Sequence, residues 1–347
     1  MKITLNKTMT EIAEFLKDFP SPIYFVGGCV RDTLLGIEPH DYDLFTALEP
    51  DDVQNWLKGR ARSYLTGKRF GTIGFKFKGM TVEITTFRSE IYDKTSRKPV
   101  VKFSKFIEED IRRRDFTINA ICCDMNGNVK DYVNGVDDLN KKILRCVGNP
   151  TERFQEDPLR ILRGIRLTSK FELLIEEKTR EKLIHTRWEL LRLSKERIVE
   201  EMEKMFTLEP ILLADCIEIM FCLDIFQVIF PELSLQLQFN QENPNHKHEL
   251  HTHTFLTVEE TRKEHTEPEY LWSALFHDIG KPFTKVKAKN KDYFNYLNHD
   301  ILGAEIAQRY CNDYHFSNAK TDFIVKSIRE HQNEDSWLKK YDDLAKK

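Results

Sequence analysis

The pattern of apolar and polar positions changes period every few residues over the first 150 residues. Residues 5–17 place Ile12, Phe15 and Leu16 on one side of a short helix. Tyr24-Phe25-Val26 is an aromatic and β-branched run of the kind strands prefer. The glycine pair Gly27-Gly28 follows, then a helix over Val30–Leu35, a loop, and a second strand carrying Asp41 and Asp43. Glu49-Pro50-Asp51-Asp52 signals the start of a helix that reaches Lys58. Three strand-like runs come next, Ser63–Leu65, Thr72–Lys78 and Met80–Phe87, the last two joined by a tight turn at Lys78-Gly79. Thr81–Thr86 alternates, which places Glu83 on the face opposite Val82 and Ile84, on a strand able to lie beside the aspartate strand, as a candidate third carboxylate or as a structural partner of Arg31 or a neighbouring arginine. Ser89–Pro99 is polar, has no period and reads as a mobile loop. Ile118–Cys123, a turn at Asn126-Gly127 and Val129–Val133 predict a hairpin, with Ile143–Val147 as a further edge strand. After Pro150 the strand signals stop. One helix is predicted from Thr151 to about Lys170, another begins with Ser194 as its N-cap, and residues 211–230 are apolar at helical spacing. The expected architecture is an α+β head with a small mixed sheet over residues 1–148, a helical neck over 149–235 and an all-α domain over 236–347.

Composition narrows this picture. The 347 residues are 40% hydrophobic and 31% charged, and no apolar run approaches the roughly 20 residues of a membrane span, so no membrane partner is expected. The first residues lack the apolar segment of a signal peptide. Seven cysteines, odd in number and irregular in spacing, suggest reduced thiols and a cytoplasmic location. The net charge of −3 does not mark a nucleic-acid binder, yet residues 141–200 hold 15 Lys and Arg against 10 Asp and Glu. That excess fits either a face that tracks phosphates or a solvated helical surface. Nothing in the sequence sets an oligomeric state.

The candidate chemistry lies first between residues 24 and 45. Glycines let the backbone approach a ligand closely, and the helix behind them would direct its free N–H groups at an anion. Arg31 in that first helical turn opposes the helix dipole, an arrangement that a bound polyphosphate would compensate. Asp41 and Asp43, two apart on a strand, point to one face and call for a cation between them. Hard oxygen donors suit Mg²⁺, and a pair of such ions can serve phosphoryl transfer. An Asp-x-Asp alone is also common at solvated loop ends; the glycine pair, arginine and helix before it favour the chemical reading.

Gly27-Gly28-x-Val30-Arg31-Asp32-x-Leu34-Leu35-Gly36 followed by Asp41-x-Asp43 resembles the signature of bacterial-type (class II) tRNA CCA-adding enzymes and poly(A) polymerases. Glu83-Ile84-Thr85-Thr86-Phe87-Arg88 is similar to a second stretch of that family, and Arg97-Lys98-Pro99 stands where the family's flexible loop ends in Arg-Arg-Pro. The resemblance implies that this loop switches the enzyme from C to A addition, and its full length over Arg88–Pro99 favours A addition. Glu108–Ala120 matches a further family motif almost residue for residue. Physically, arginines such as Arg113 and Arg114 would neutralise a triphosphate, Asp115 can accept from a ribose 2′-OH, and Asn119 can orient it.

Asp157 and Arg160 are three apart and would share a helix face. A surface ion pair is the plain reading. A carboxylate acceptor beside a guanidinium donor, however, complements the pairing edge of C and A, which present an amino donor next to a ring-nitrogen acceptor, and not that of U or G. Glu156-Asp157-Pro158-Leu159-Arg160-x-x-Arg163 resembles the family's base-selecting motif, which implies that Glu156 and Arg163 hold the pair in place. Ser194–Glu201 resembles the last motif of the head and neck, with Arg197 and a following Glu as braces.

The C-terminal third is rich in histidine. Phe276-His277-Asp278-Ile279-Gly280-Lys281-Pro282 resembles the centre of an HD phosphohydrolase domain, and His253 fits its first ligand. With His299 these residues form a candidate second divalent-metal site, the alternative being a degenerate HD fold that serves as a tRNA-holding body. Asp335 is the candidate for the final carboxylate. The implied activity is Mg²⁺-dependent transfer of CMP and AMP from CTP and ATP to a tRNA 3′ end. CC-only, A-only and poly(A) addition are variants, and an HD metal-dependent phosphohydrolase is the rival of another class.

Overall fold

A computed structural model describes residues 1–65, 67–91, 100–244 and 246–346. The chain divides into two compact units: residues 1–156 with 174–179, and residues 157–173 with 180–347.

In the first unit, α1 (Lys7–Phe15) begins where the Asn6 side chain accepts the backbone N–H of Met9 at 2.7 Å, and it buries Met9 and Ile12. β1 (Ile23–Val26), α2 (Gly28–Leu34) and β2 (Tyr42–Thr46) follow. α3 (Pro50–Leu57) opens with proline and two aspartates, which suits a helix start. It leads to β3 (Ser63–Tyr64), β4 (Thr72–Phe77) and β5 (Met80–Thr86). The β4–β5 turn places Lys78 and Gly79 at φ 48° and 87°, the left-handed pair that a tight two-residue hairpin requires. β6 (Arg88–Ile91) and β7 (Val100–Phe103) pair with each other, then α4 (Ile107–Arg112), β8 (Cys122–Asp124), β9 (Val129–Lys130), α5 (Gly135–Asn140), β10 (Ile143–Leu144) and α6 (Pro150–Glu156) complete the run.

The main sheet has the order β3-β4-β5-β2-β1-β8-β9, and only β2–β5 is parallel. Tyr42, Leu44 and Thr46 of β2 point to one face while Asp43 and Phe45 share the other. On that second face Phe45 and Phe87 pack edge to face at 5.0 Å, with Val26, Ile107, Ile111, Ala120, Cys122 and Val147 in the same buried cluster. This apolar patch fixes α4, and with it the arginines that follow, against the sheet.

Four expectations change. Ser89–Pro99 is not wholly a loop, because residues 88–91 pair with 100–103; residues 92–99, with Arg97, Lys98 and Pro99, lie outside the described residues. Ile118–Cys123 is not one strand: a 3-10 turn at Thr117–Asn119 precedes the three-residue β8. Ile143–Val147 does not edge the main sheet. Ile143 and Leu144 pair in parallel with β11 (Leu174–Ile175), so strand pairing recurs past residue 150. The helix predicted over 151–170 breaks at Asp157-Pro158, because proline lacks the N–H a helix interior needs and pushes the preceding residue out of helical geometry.

The second unit contains α7 (Leu159–Lys170), most of α8 (Glu177–Thr186), α9 (Lys195–Phe206), α10 (Pro210–Cys222), α11 (Ile225–Ile229) and α12 (Pro231–Ser234). Then come α13 (Leu250–Glu264), α14 (Pro268–Phe276), the short hairpin β12 (Lys285–Lys287) and β13 (Phe294–Tyr296), α15 (His299–Asp313), α16 (Asn318–Glu330) and α17 (Trp337–Ala345). Its core is aromatic: Phe206 and Phe230 meet Trp272 edge on at 5.0 and 5.7 Å, and Phe230 meets Phe276 at 5.2 Å. No described helix is long and apolar enough to cross a membrane. All seven cysteines are free thiols, six of them buried.

Candidate active site and candidate metal centre

Asp41 and Asp43 stand at the start of β2, and both are exposed. Asp43 lies directly opposite Glu83 in the parallel β2–β5 register, so the two carboxylates share a face. Burial raises the Glu83 carboxyl above its ordinary range, and the charges of Asp43 and Asp41 raise it further. The same face holds Tyr64, whose ring passes over Gly74; a Cβ there would lie 2.1 Å from it. Burial raises the Tyr64 phenol, with the charges of Glu83 and Asp41 adding to it. A face this negative is a fit for divalent cations. Glu83, a candidate third carboxylate from the alternation of residues 81–86, lies on this face.

The cationic part lies behind the glycines. Gly27 caps α2 with φ +76°, where a side chain is strained, and an added Cβ would sit 3.2 Å from Arg114 Nη1. The corresponding atom on Gly28 would be 3.6 Å from Arg31 Nη2. Both guanidinium groups therefore stand against the glycine pair. Arg31 is buried; Nε and Nη2 donate to Asp32 at 2.8 and 2.6 Å, and Nη1 donates to Asn119 Oδ1. Asn119 Nδ2 in turn donates to Asp115 Oδ1 at 3.2 Å, which also accepts the N–H of Phe116 at 2.8 Å. One chain of contacts thus runs from Arg31 through Asn119 to Asp115.

Asp110 organises the remaining arginines. It is fully buried, accepts from Arg113 Nη2 at 2.8 Å and lies 3.5 Å from Arg114 Nε. It also accepts the backbone N–H of Arg88 at 3.2 Å. The sequence reading gave Asp110 no role; its spacing, three and four residues before the two arginines on a helix, was the available signal.

In the second unit, Asp157 precedes α7 rather than lying within it. Its Oδ1 accepts the N–H of Leu159 at 3.2 Å, and its carbonyl accepts that of Arg160 at 3.0 Å. Arg160 is buried in the first turn of α7, and Arg163 lies one turn further on the same helix. Arg197 of α9 grips Asp157, with Nη2 3.1 and 3.0 Å from the two carboxylate oxygens. Glu201, fully buried on the same helix, accepts from Arg166 Nε at 2.6 Å.

The histidine-rich region closes on itself. His253 (α13), His277 and Asp278 (after α14), His299 (start of α15), His331 (end of α16) and Asp342 (α17) are all buried and fall into two groups: His253, His277, Asp278 and Asp342, and Asp278, His299 and His331. The final carboxylate is Asp342, not Asp335, which is exposed in the turn before α17. Position 342 lies on a buried helix face, and 335 precedes that helix. His331 was also missed, since only the α15–α16 hairpin brings it to His299. Burial works against a charge on His277, but Asp278 and Asp342 outweigh it and hold the ring up at about 9. His246 lies outside both groups, and burial beside Lys281 pushes it down to about 3.

The sequence matches the family described as "Poly A polymerase head domain" over residues 23–145, "Probable RNA and SrmB- binding site of polymerase A" over 170–237 and "HD domain" over 250–346. The chain is 44% identical over 196 residues to a CCA-adding enzyme of Lactobacillus helveticus, and 40% identical over 206 residues to one of Staphylococcus saprophyticus. These alignments cover 56% and 59% of this chain and 48% and 51% of the relatives, so the chain spans about half the length of the curated relatives it matches. The crystal structure of Bacillus stearothermophilus CCA-adding enzyme in complex with CTP superposes with a TM-score of 0.68 at 25% identity, covering 92% of this chain and 68% of that one. The chain is thus similar, in separate segments, to the head and RNA-binding domains of poly(A) polymerases and to HD domains, and to CCA-adding enzymes over about half of their length. Residues 250–346 match an HD domain, and both kinds of domain imply a divalent metal.

Proposed function

We propose that the chain adds CMP and AMP to the 3′ end of tRNA without a nucleic-acid template. The tRNA 3′-hydroxyl attacks the α-phosphate of CTP or ATP, the new O–P bond forms, the bond to pyrophosphate breaks, and the hydroxyl proton is released. The observation that carries this reading is the carboxylate face of Asp41, Asp43 and Glu83, in the unit that also sets Arg31 and Arg114 against Gly27-Gly28. Mg²⁺ held by Asp41 and Asp43 would lower the pKa of the attacking hydroxyl and offset triphosphate charge. Gly27 and Gly28 let the backbone approach the triphosphate, and Arg31, Arg113 and Arg114 neutralise it. Asp115, oriented by Asn119, accepts the ribose 2′-OH. Asp157 and Arg160 supply the edge that favours C and A, and Arg163 supports that pair from the next turn. The relatives named as CCA-adding enzymes support the choice of substrate.

The test is incubation with Mg²⁺, labelled CTP or ATP, and tRNA transcripts ending before CCA, after C, or after CC. The expected result is completion of CCA on all three, stopping there, and loss in Asp41→Ala/Asp43→Ala. CC alone, A alone on the CC-ended transcript, or long A tracts would replace the reading by a CC-only, A-only or poly(A) enzyme. No incorporation on any transcript overturns it.

A second reading concerns the HD domain. The buried histidine and aspartate cluster favours metal-dependent hydrolysis of a phosphate ester as a separate activity. A 2′,3′-cyclic phosphate end is the substrate to try. Hydrolysis lost in His277→Ala and retained in Asp41→Ala/Asp43→Ala would support it; no hydrolysis with any divalent metal would remove it.

A further inference from the structure

We propose that Tyr64 is the platform on which the last nucleotide of the RNA primer stacks, on the side of the carboxylates opposite the triphosphate groups. The inference rests on the nucleotidyl-transfer reading above. It starts from strand register. Tyr64 of β3 pairs with Gly74 of β4, Gly74 with Glu83 of β5, and Glu83 with Asp43 of β2. Directly paired residues point to the same face, so these four form one row across the sheet. Gly74 leaves a gap in that row, and Tyr64 fills it. A Cβ at Gly74 would lie 2.1, 2.4 and 2.8 Å from three atoms of the ring, so the ring lies over β4 rather than beside it. Strands are about 4.8 Å apart, which brings the ring to roughly 10 Å from β2 and next to Glu83. Tyr64 is only partly buried, so part of the ring faces solvent.

The chemistry decides which substrate reaches that ring. In phosphoryl transfer the attacking and leaving oxygens stand roughly in line through the phosphorus. The groups suited to the triphosphate lie on the β1 side of Asp43. Gly27-Gly28 follow β1, and Arg114 Nη1 is 3.2 Å from where a Gly27 Cβ would sit. The Arg114 guanidinium also stands 5.5 Å from the centre of the Phe45 ring, on the face that carries Asp43. A pyrophosphate leaving on that side puts the attacking 3′-hydroxyl on the other, toward β5, β4 and β3. The nucleotide that carries the hydroxyl therefore passes over Gly74 and Tyr64. Aromatic rings hold single-stranded bases by stacking whatever their sequence. That tolerance suits an RNA end whose last base changes with each addition. Lys76 is exposed two positions from Gly74 on the same face, and its Nζ donates to Thr81 Oγ1 at 2.7 Å. It offers a cation to the phosphate behind that nucleotide.

The experiment uses the full chain and a tRNA transcript that ends before CCA. Tyr64→Ala should raise KM for this RNA by about ten-fold, as loss of one stacked base would, and leave KM for CTP within about two-fold. Tyr64→Phe keeps the ring and should restore most of the RNA affinity. A purely structural role would lower thermal stability and move both KM values together; that result overturns the proposal, as does an unchanged KM for the RNA. A second measurement needs no catalysis. The same transcript, with 5-iodouridine as its last nucleotide, is bound to the wild-type protein and irradiated, and mass spectrometry reads the point of attachment. Attachment to Tyr64 is expected; attachment elsewhere, or none, overturns the platform. The two readings stay distinguishable: attachment to Tyr64 in a protein that incorporates neither CMP nor AMP would remove the transfer reaction and keep the platform. If Tyr64→Ala fails to fold, the point of attachment decides.

Discussion

Two residues show how little of the head is free to vary. Gly27 combines a positive φ with Arg114 Nη1 3.2 Å from where a side chain would begin. Gly27→Ala should cost about 1–3 kcal/mol of stability from backbone strain. It should also displace Arg114, so nucleotide KM should rise more than the loss of stability alone explains. Unchanged KM in a folded variant would argue against a phosphate role for this turn. Asp110 is the buried anion that Arg113 and Arg114 share. Asp110→Ala leaves both without it and should cost about 3–5 kcal/mol. The milder Asp110→Asn keeps the shape; it should fold and lose nucleotide affinity, measured by calorimetry with CTP. Wild-type affinity in that variant would mean that the arginines do not contact the triphosphate.

At the scale of elements, the parallel β2–β5 pair sets Glu83 against Asp43. Because the folded state raises the Glu83 pKa, it holds that proton more tightly than the unfolded chain does. Metal-free head stability should therefore fall as pH rises from the ordinary carboxylate range through the raised value. Glu83→Gln should flatten that slope, and added Mg²⁺ should flatten it in the wild type; urea denaturation between pH 4 and pH 8 reads both. A slope unchanged by either would detach Glu83 from the cation site. In the other unit Arg197 of α9 reaches the carboxylate that precedes α7. Both side chains are partly exposed, so the pair contributes at most about 1 kcal/mol to stability. Under the proposed function its use is to aim Asp157. Arg197→Ala should relax discrimination against UTP and GTP while leaving the thermal transition nearly in place. Undiminished selectivity would limit Arg197 to a brace.

At the scale of the molecule, two compact units, each with its own proposed metal site, predict separable responses to metal. A transition metal at 100 times its Kd should stabilise the HD-bearing unit by about 2.7 kcal/mol. Calorimetric scans should show that shift reversed by a chelator specific for transition metals, and persisting in Asp41→Ala/Asp43→Ala. A shift lost in that head variant would place the stabilising metal in the wrong unit.

Much of this was legible along the chain, for a physical reason. The proposed nucleotide site and the candidate metal cluster both draw on residues close in sequence, so Gly27-Gly28, Asp41-x-Asp43, Arg113-Arg114-Asp115 and His277-Asp278 keep their spacing whatever the rest of the fold does. Alternation over 81–86 was enough to put Glu83 on the strand face where it is found, since a strand has only two faces. Local propensity misled where packing or proline overrode it. Ile118–Cys123 has strand residues but turns at Thr117–Asn119, and Pro158 breaks an otherwise continuous helical period. For contacts that join distant residues the sequence did not say which partners meet. Arg197 on Asp157, Asp110 on Arg88, and the arrival of His331 and Asp342 at Asp278 depend on how helices and strands pack. Sequence alone determined which groups can do chemistry and which local elements carry them. The tertiary structure decided which carboxylate and which histidines meet, because a coordination shell is set by distances of a few ångströms between elements up to 89 residues apart.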